Sequence, residues 1–244
     1  SNASIKVGQF ITGTSIASQT YVAAISGTSL TLSQNASGSS TSTLSFYTPH
    51  GVVVGGGNNQ ATGSYSFVGG GGDAGTSSNR NTASGDWSFV GGGVKNTASG
   101  LGSVVCGGGI FSAGSYFANT ASNVGTFVGG GTNNTANNSY SSVVGGLSNT
   151  ASGYASFVYG GDTNTASGSY SSLLSGIRGT TRAINSNTTF SSTAPISATT
   201  GVSQASILIL GRQTTDATAT VLSSDTSAAG TTNQVILPNN SAYY

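Results

Sequence analysis

The chain has very few charged residues, and this shortage argues against several classes of protein. Charged residues make up 5% of the 244 positions, where a typical globular domain has about 25%. The six Lys and Arg residues are scattered and form no basic stripe for phosphates, so we expect no nucleic-acid partner. No stretch approaches the roughly 18 consecutive apolar residues of a membrane helix, so we expect no membrane insertion.

Residues that carry catalytic or metal chemistry are also scarce. The chain has one His, no Glu and five Asp. General acid–base catalysis needs paired titratable groups, whereas Asp86 and Asp162 lie at corners of a repeat, where Asp is a common turn former. The single cysteine, Cys106, excludes an internal disulfide, and we expect it to be a small buried hydrophobic side chain. The sequence therefore predicts no enzyme, no catalytic residues, no cofactor and no metal site.

Glycine, by contrast, is abundant, with 39 residues, and it recurs with a regular period. Aligning the chain on the valine of the phrase Ser-Phe-Val-Gly-Gly gives steps of fourteen or fifteen positions, except for two longer steps. Those two steps exceed the period of fifteen by seven and eight positions, which indicates two insertions. The aligned positions are Val54, Val68, Val90, Val105, Val128, Val143, Val158 and Leu173.

A second phrase, Asn-Thr-Ala-Ser-Gly, keeps step with the first. Its alanine follows the valine by eight positions in the regular copies and by fifteen or sixteen in the two longer ones. The extra residues therefore lie between the two phrases, at a single corner of the repeat. The alanines are Ala83, Ala98, Ala121, Ala136, Ala151 and Ala166.

Two short strands and two glycine-rich corners in each repeat predict one coil of a β-solenoid. Each phrase spans about five residues, an ordinary strand length, and the corners contain Gly-Asn and Gly-Ser pairs that turn the chain sharply. Glycine at this density disfavours a helix by about 1 kcal/mol per residue. We therefore expect an all-β chain whose coils stack in parallel about 4.8 Å apart.

Alternation along a strand predicts which side chains face the inside of the coil. If the valines point inward, phenylalanines line the outside, and such an apolar ladder requires a partner. Three chains packed around one axis would supply that cover, and the inverted orientation would lead to the same homotrimer. The outward set is Phe67, Phe89, Phe127 and Phe157, with Val53 and Val104, and the inward set is Val68, Val90, Val105, Val128, Val143 and Val158.

Two runs in the repeat resemble known families. The run from Ala98 to Gly107 resembles the head repeat of trimeric autotransporter adhesins of the YadA type. The phrase Val-Gly-Gly-Gly followed by Asn-Thr-Ala-Ser-Gly is similar to repeats in phage tail-fibre proteins. The resemblance covers roughly residues 52–176 and implies a left-handed parallel β-roll that is stable only as a homotrimer and acts in attachment, on a virion or an extracellular surface. The chain departs from the family pattern at Cys106, Val144 and Tyr159, where the family has a small residue.

Composition divides the chain into four parts. Residues 1–3 have the composition of an expression-tag remnant. Residues 4–50 contain two alternating runs, 21–25 and 29–33, that predict a small β-domain. The glycine-rich repeat occupies 51–180. Residues 181–244 are expected to form a β cap or junction with strands at 206–210 and 235–237, because a solenoid needs its open edge covered.

The two insertions, residues 72–79 and 110–118, are the predicted receptor-binding loops, since binding residues gather on loops held by rigid scaffolds. The second loop is rich in aromatic residues, which offer flat apolar faces to a sugar or a protein. The alternative is that these aromatics fold back and cover the edge of the trimer. The candidate residues are Asp73, Thr76, Asn79, Phe111, Tyr116 and Phe117.

Three functions fit this pattern to different degrees. The first is a structural and adhesive segment of a trimeric fibre that attaches to a host receptor, either a glycan or a protein, in a phage tail fibre or a bacterial adhesin head. The second is ice binding, because Thr-x-Ser recurs on one strand face, for example in Thr97-Ala98-Ser99. The third, a polysaccharide-degrading tailspike, is disfavoured because the chain can hardly supply the usual pair of carboxylates.

Overall fold

Two parallel sheets that face each other across a thin core form the main body of a computed structural model of the chain. The structure describes residues 5, 7, 9–18, 20–39, 41, 43–47, 50–73, 75–112, 115–193, 197–210 and 222–224. Apart from one 3-10 turn at Ser77–Asn79, all of the regular structure in these residues is β. The predicted all-β solenoid is therefore confirmed.

Four strands precede the solenoid. They are β1 (Phe10–Thr12), β2 (Val22–Ser26), β3 (Ser29–Leu32) and β4 (Ser45–Tyr47). β1 pairs with β4 and β2 pairs with β3, both antiparallel. Ile11 and Val22 are buried. The strands β2 and β3 correspond to the two alternating runs that the sequence indicated.

The solenoid strands are only two residues long in most coils, shorter than predicted from each phrase, because glycine corners begin directly beyond them. In chain order they are β5 (Val52–Val53), β6 (Gln60–Ala61), β7 (Phe67–Val68), β8 (Thr82–Ala83), β9 (Phe89–Val90), β10 (Thr97–Ala98), β11 (Val104–Val105), β12 (Ile110–Ser112), β13 (Ser115–Phe117), β14 (Thr120–Ala121), β15 (Phe127–Val128), β16 (Thr135–Ala136), β17 (Ser142–Val143), β18 (Thr150–Ala151), β19 (Phe157–Val158), β20 (Thr165–Ala166), β21 (Ser172–Leu173), β22 (Thr188–Ser191) and β23 (Gln204–Ile207).

Apart from β12 and β13, which pair with each other as an antiparallel hairpin, these strands form two sheets that run along the stack of coils. The alanine sheet has the order β6-β8-β10-β14-β16-β18-β20, and all of its pairs are parallel. The valine sheet has the order β5-β7-β9-β11-β15-β17-β19-β21-β22-β23. Its strands are parallel up to β22, which gives about nine turns, and β23 closes the end as an antiparallel partner of β22.

The register corrects two expectations near the start of the repeat. Val53, and not Val54, pairs with Val68, and Val52 pairs with Phe67. The first step therefore equals the regular period of fifteen, and Val53 belongs to the inward column instead of the outward one. The sequence alignment slipped by one position because three consecutive valines occupy positions 52–54.

The far end of the solenoid also differs from expectation. The parallel stack continues one coil beyond Leu173, with Thr189 of β22 in the valine column. The predicted strand at 206–210 lies earlier, at Gln204–Ile207, and Ile209 beyond it is largely exposed. The predicted strand at 235–237 lies outside the described residues.

The core consists of one valine and one alanine per coil. These side chains are fully buried, so the valines point into the coil, which is the first of the two orientations that the sequence allowed. One buried Val contributes about 1.5–3 kcal/mol, whereas ordering each residue of a coil costs about 1–2 kcal/mol. Apolar burial alone therefore cannot hold a coil in place. The core residues are Val68, Ala83, Val90, Ala98, Val105, Ala121, Val128, Ala136, Val143, Ala151, Val158, Ala166 and Leu173.

A ladder of asparagines supplies the missing connection between coils. Asn134 is representative: its backbone N–H donates to Oδ1 of Asn119 at 3.0 Å, and its own Oδ1 accepts from the N–H of Asn149 at 3.0 Å. Its Nδ2 donates to the carbonyls of Gly130 and Gly146, both at 2.8 Å. The residue thus binds its own coil and both neighbouring coils. The ladder comprises Asn59, Asn81, Asn96, Asn119, Asn134, Asn149 and Asn164.

The asparagine ladder explains why one position in each glycine run cannot hold any residue other than glycine. Gly131 has φ +81°, and a Cβ there would lie 2.2 Å from the carbonyl oxygen of Gly146 and 2.8 Å from Nδ2 of Asn134. Both the backbone conformation and the close approach exclude a side chain. The same column holds glycine in eight coils: Gly56, Gly71, Gly93, Gly108, Gly131, Gly146, Gly161 and Gly176.

We expect Asn134→Ala to lower the free energy of unfolding by at least about 2 kcal/mol, because it leaves the buried N–H of Asn149 without an acceptor and removes two further bonds. The measurement is urea unfolding followed by circular dichroism. Asn137→Ala, an exposed change in the same coil, is the matched control and should stay within about 0.5 kcal/mol of the parent. Equal effects of the two changes would contradict a structural role for the ladder.

Candidate functional site

The outward side of the valine sheet is the first surface on which function can lie. We call it the apolar face: two outward positions in each of eight coils, none of which holds a charged residue. The first column is Val52, Phe67, Phe89, Val104, Phe127, Ser142, Phe157 and Ser172, and the second is Val54, Gly69, Gly91, Cys106, Gly129, Val144, Tyr159 and Leu174.

The two columns compensate for each other in side-chain size: a large residue in one usually lies beside a small residue in the other. Where the first position is Phe, as in Phe67, the second is usually Gly, and the ring lies 3.3 Å from where a Cβ on that Gly would be. Where the first position is Ser142 or Ser172, the second carries Val144 or Leu174. Each coil therefore presents apolar surface from at least one of its two positions. The phenylalanines lie on the outward side of the sheet, and the second column continues the apolar surface in coils that have serine.

Phe157 is the exception, because both positions of its coil hold a large residue. It is followed by Tyr159 instead of glycine, and the two ring centroids lie 4.6 Å apart at 59°. In the first coils, by contrast, Phe67 and Phe89 stack in parallel, with centroids 5.2 Å apart and an angle of 4° between the rings. The packing of the rings therefore changes along the apolar face.

Cys106 lies on the apolar face, and the expectation that it is buried is wrong. Val105 points into the coil, so alternation directs Cys106 outward on the same side as Val104. Its side chain is exposed. Val105 fills the inward position of this coil, so the strand has no buried position left for Cys106.

The outward side of the alanine sheet carries a second surface, the hydroxyl face. Its threonines pair directly across neighbouring coils, one per coil, so their side chains follow the spacing of the stack, about 4.8 Å. They are half-buried. The column is Thr82, Thr97, Thr120, Thr135, Thr150, Thr165 and Thr180.

A third surface, absent from the sequence-based expectations, lies at the corner that leads from the alanine sheet to the valine sheet. We call it the aromatic corner. The rings of its tyrosines and tryptophan are 39–62% exposed. It comprises His50, Tyr65, Trp87, Tyr140, Tyr154 and Tyr170.

The rings of the aromatic corner form two groups. His50, Tyr65 and Trp87 stack in parallel, with centroids 4.6 Å and 6.3 Å apart and interplanar angles of 6° and 9°. Tyr140, Tyr154 and Tyr170 meet edge to face, with centroids 5.6 Å and 5.5 Å apart. The two coils between the groups carry Gly102 and Gly125 in this column.

The backbone at this corner is left-handed, which disfavours bulky residues. Tyr65, Trp87, Tyr140 and Tyr170 have φ between 55° and 61°. Such a conformation costs of order 1–3 kcal/mol for a residue other than glycine, while an aromatic pair returns about 0.5–1.5 kcal/mol. The stabilisation from ring stacking therefore does no more than offset the backbone strain, and aromatic residues at this corner do not add to the stability of the fold.

A signal for the aromatic corner is present in the sequence. Its column lies three positions before each inward valine, as in Tyr65 before Val68 and Trp87 before Val90, and Tyr154 is displaced from it by one position. The sequence-based interpretation followed strands and insertions and did not follow this turn position.

The first predicted loop is held by hydrogen bonds within itself. Oδ1 of Asp73 accepts from the N–H of Gly75 at 2.8 Å, and its Oδ2 accepts from Nδ2 of Asn79 at 3.1 Å. Asn79 is buried, whereas Thr76, which precedes the 3-10 turn, is exposed. The hydrogen bonds from Asn79 and Gly75 hold the pKa of Asp73 below its ordinary value of 3.8, and the bond from Asn79 has the larger effect.

The second predicted loop is a hairpin of β12 and β13, in which Phe111 lies opposite Tyr116 and Ile110 opposite Phe117. Phe117 is exposed. The loops come from separate coils, yet both reach Lys95: its N–H donates to the carbonyl of Asn79 at 3.1 Å, and its Nζ donates to that of Tyr116 at 3.4 Å. The structure therefore brings the candidate loop residues to one side of the solenoid.

Within the described part of the chain, no three His, Cys, Asp or Glu side chains lie together where they could hold a metal ion. The same residues include no helix with the length and apolar character needed to cross a membrane. Comparison of the chain with protein-family models, with curated proteins and with solved structures found no match.

We expect the carboxyl group of Asp73 to titrate with a pKa below 3.8 and to shift back toward that value in Asn79→Ala, since the Asn79 hydrogen bond is the largest cause of the lowered pKa. Because the folded-state pKa is lowered, this contribution to stability is present above the unfolded pKa and is lost as pH falls through the folded value. Carbon-detected NMR titration measures it. An unchanged Asp73 titration in Asn79→Ala would refute the assignment.

Proposed function

We propose that the chain is a structural and adhesive segment of a homotrimeric fibre, such as a phage tail fibre, that mediates attachment to a receptor on a host cell. The observation that carries the proposal is the apolar face, which runs along eight coils without a charged residue. Phe89, Val144 and Tyr159 of this face are exposed in the single chain. Contiguous exposed apolar surface of this kind marks a site of association.

Identical copies are the partners that fit this face best. Its apolar groups recur once per coil, so a second copy presents the same repeat along its own stack. Three β-rolls around one threefold axis can each turn this face toward the axis, and the resemblance to trimeric fibre repeats favours three copies over two. The thin core adds to this argument, because a chain with one Val and one Ala per coil buries little apolar surface alone.

Attachment is the role proposed for the surfaces that remain outside the trimer. The two loops at the Lys95 corner are held on a rigid scaffold, which is the arrangement in which binding residues are commonly found. The resemblance of the repeat to tail-fibre and adhesin repeats supports the same role. A bacterial surface adhesin head is the alternative setting for this trimer, and either setting places the chain outside the cell, without catalysis.

The trimer is tested by light scattering on a size-exclusion column, where we expect a mass of about three times 23.8 kDa. Phe89→Asp combined with Phe127→Asp should reduce the assembly to monomers, because each change buries a charge in the interface. Thr120→Asp, which lies on the hydroxyl face between these two positions in the chain, is the control and should remain trimeric.

Cys106 gives an independent readout of the same interface. As the single cysteine of the chain, it should resist thiol reagents in the assembled protein and react in the double Asp variant. A well-folded parent chain that is monomeric, with a reactive Cys106, would overturn the proposal.

Ice binding is the second candidate, and the registered threonines of the hydroxyl face favour it. A regular column of hydroxyls on a parallel sheet is similar to the surface of ice-binding β-solenoids. The accompanying column, however, consists of Ser99, Ser122 and their equivalents, with Asn137 in one coil, and so lacks a second row of threonines. Thermal hysteresis of the parent chain, abolished in Thr120→Asp, would favour this function over the fibre.

A further inference from the structure

The aromatic corner is not used by the proposed trimer, by the core or by the two loops. Its rings are among the most exposed large side chains of the solenoid, with Trp87 at 61% and Tyr170 at 62%. Other coils place Gly102, Gly125 and Ala155 at the same left-handed turn, so the fold forms without rings there. Bulky residues retained in an unfavourable conformation, with their surface exposed, indicate a function beyond folding.

Trp87 has one covered face and one open face. Tyr65 stacks against it in parallel from the preceding coil. The following coil contributes Gly102, and no atom lies within 4 Å of where a Cβ on that glycine would be. The N–H of Gly102 is bonded to the carbonyl of Asp86 at 2.8 Å, so the backbone beneath this space is already satisfied. The space next to Trp87 is therefore bounded by the backbone at Gly102 and is open to solvent.

The second group of rings bounds the same space from the other direction. The ring of Tyr140 lies against Gly125, since a Cβ on that glycine would be 3.0 Å from Tyr140 Cδ1. Leu101 is exposed between the two groups. The corner thus forms an aromatic row interrupted by an opening, with Trp87 before the opening and Tyr140 after it. A ligand that follows this row must be extended along the stack.

The surroundings of the row are polar and almost uncharged. Between residues 50 and 170, Asp86 is the only charged residue of this corner, and its Oδ1 accepts from the N–H of Ser64 at 2.8 Å. Side chains with donor and acceptor capacity lie beside the second group, including Ser139 and Asn123, whose oxygens are 3.2 Å apart. Between residues 50 and 170 the row has no Lys or Arg to attract a polyanion, and aromatic faces with neutral polar neighbours suit the apolar C–H faces and the hydroxyls of sugar rings.

We propose that the aromatic corner binds a neutral polysaccharide along the solenoid, with one sugar ring stacked on the open face of Trp87. This inference rests on the proposed attachment function for its biological setting, since it gives the chemical class of the receptor. It adds the aromatic row to the two loops at the Lys95 corner as a surface of receptor contact.

Trp87 is the only tryptophan of the chain and therefore reports its own occupancy. The parent protein is titrated with cellohexaose, dextran, mannan and galactan, with polygalacturonate as the charged comparison, while tryptophan fluorescence is recorded. We expect a saturable blue shift with at least one neutral glycan and none with polygalacturonate. Retardation in native gels containing the same glycan gives a second readout that does not depend on fluorescence.

Trp87→Gly is the decisive variant, because glycine is the natural residue of this column in two coils. It should retain the mass and thermal stability of the parent and weaken glycan binding at least tenfold in the gels. Tyr170→Gly should weaken binding while leaving the reporter in place. Tyr21→Ser, an exposed tyrosine of the segment before the solenoid, is the control and should bind as the parent does.

The outcomes separate this inference from the trimer. Glycan binding by a chain that is monomeric would support the inference and overturn the homotrimer. A trimer that shows no saturable shift with any neutral glycan, or that binds polygalacturonate alone, would overturn the inference and leave the fibre in place. Loss of the trimer in Trp87→Gly would identify the aromatic corner as a subunit contact and would also overturn the inference.

Discussion

The hydrogen bonds of the buried asparagines are the constraint on which the rest of the solenoid depends. Each such residue joins three coils, as Asn134 does through Asn119, Gly146 and Asn149. This arrangement fixes the rise and the register of the stack, and it requires glycine beside it, because any side chain would enter the space of the carbonyl that the amide binds. The composition of the chain, rich in Gly and Asn and poor in large apolar residues, follows from this one interaction.

Because interior contacts hold the stack together, the outward-facing residues can differ in chemistry from one side of the solenoid to another. The valine sheet presents an uncharged apolar surface, the alanine sheet presents hydroxyls, and one corner presents aromatic rings. Insertions enter at the opposite corner without disturbing the register, since Val105 and Val128 remain paired although the second insertion lies between them. One repeat thus supports several surfaces, and this separation allows the proposed self-association and the proposed receptor binding to lie on different sides of the same coil.

The fold was predictable from the sequence because periodicity alone defines a solenoid. The period of fifteen and the corner of the insertions follow from spacing, whereas alternation alone allowed the valines to point inward or outward. The register at Val53 did not, since three adjacent valines fit the pattern equally well, and the exposure of Cys106 was missed although it follows an inward valine. The asparagine ladder and the aromatic corner were missed because both depend on contacts between coils, in which Asn96 meets Asn81 and Tyr65 meets Trp87. A linear pattern does not show whether a turn residue points inward or outward.

The direction of the bonds between coils has a mechanical consequence. These bonds run along the stack, and the chain passes through the coils in order from one end of the solenoid to the other. Tension applied between the two ends of the solenoid therefore acts on the coils in series. One coil occupies about 4.8 Å of the axis, and once released it extends to about 50 Å. A pulled solenoid would therefore yield one coil at a time, each released coil lengthening about tenfold, while the coils that remain keep their surfaces intact.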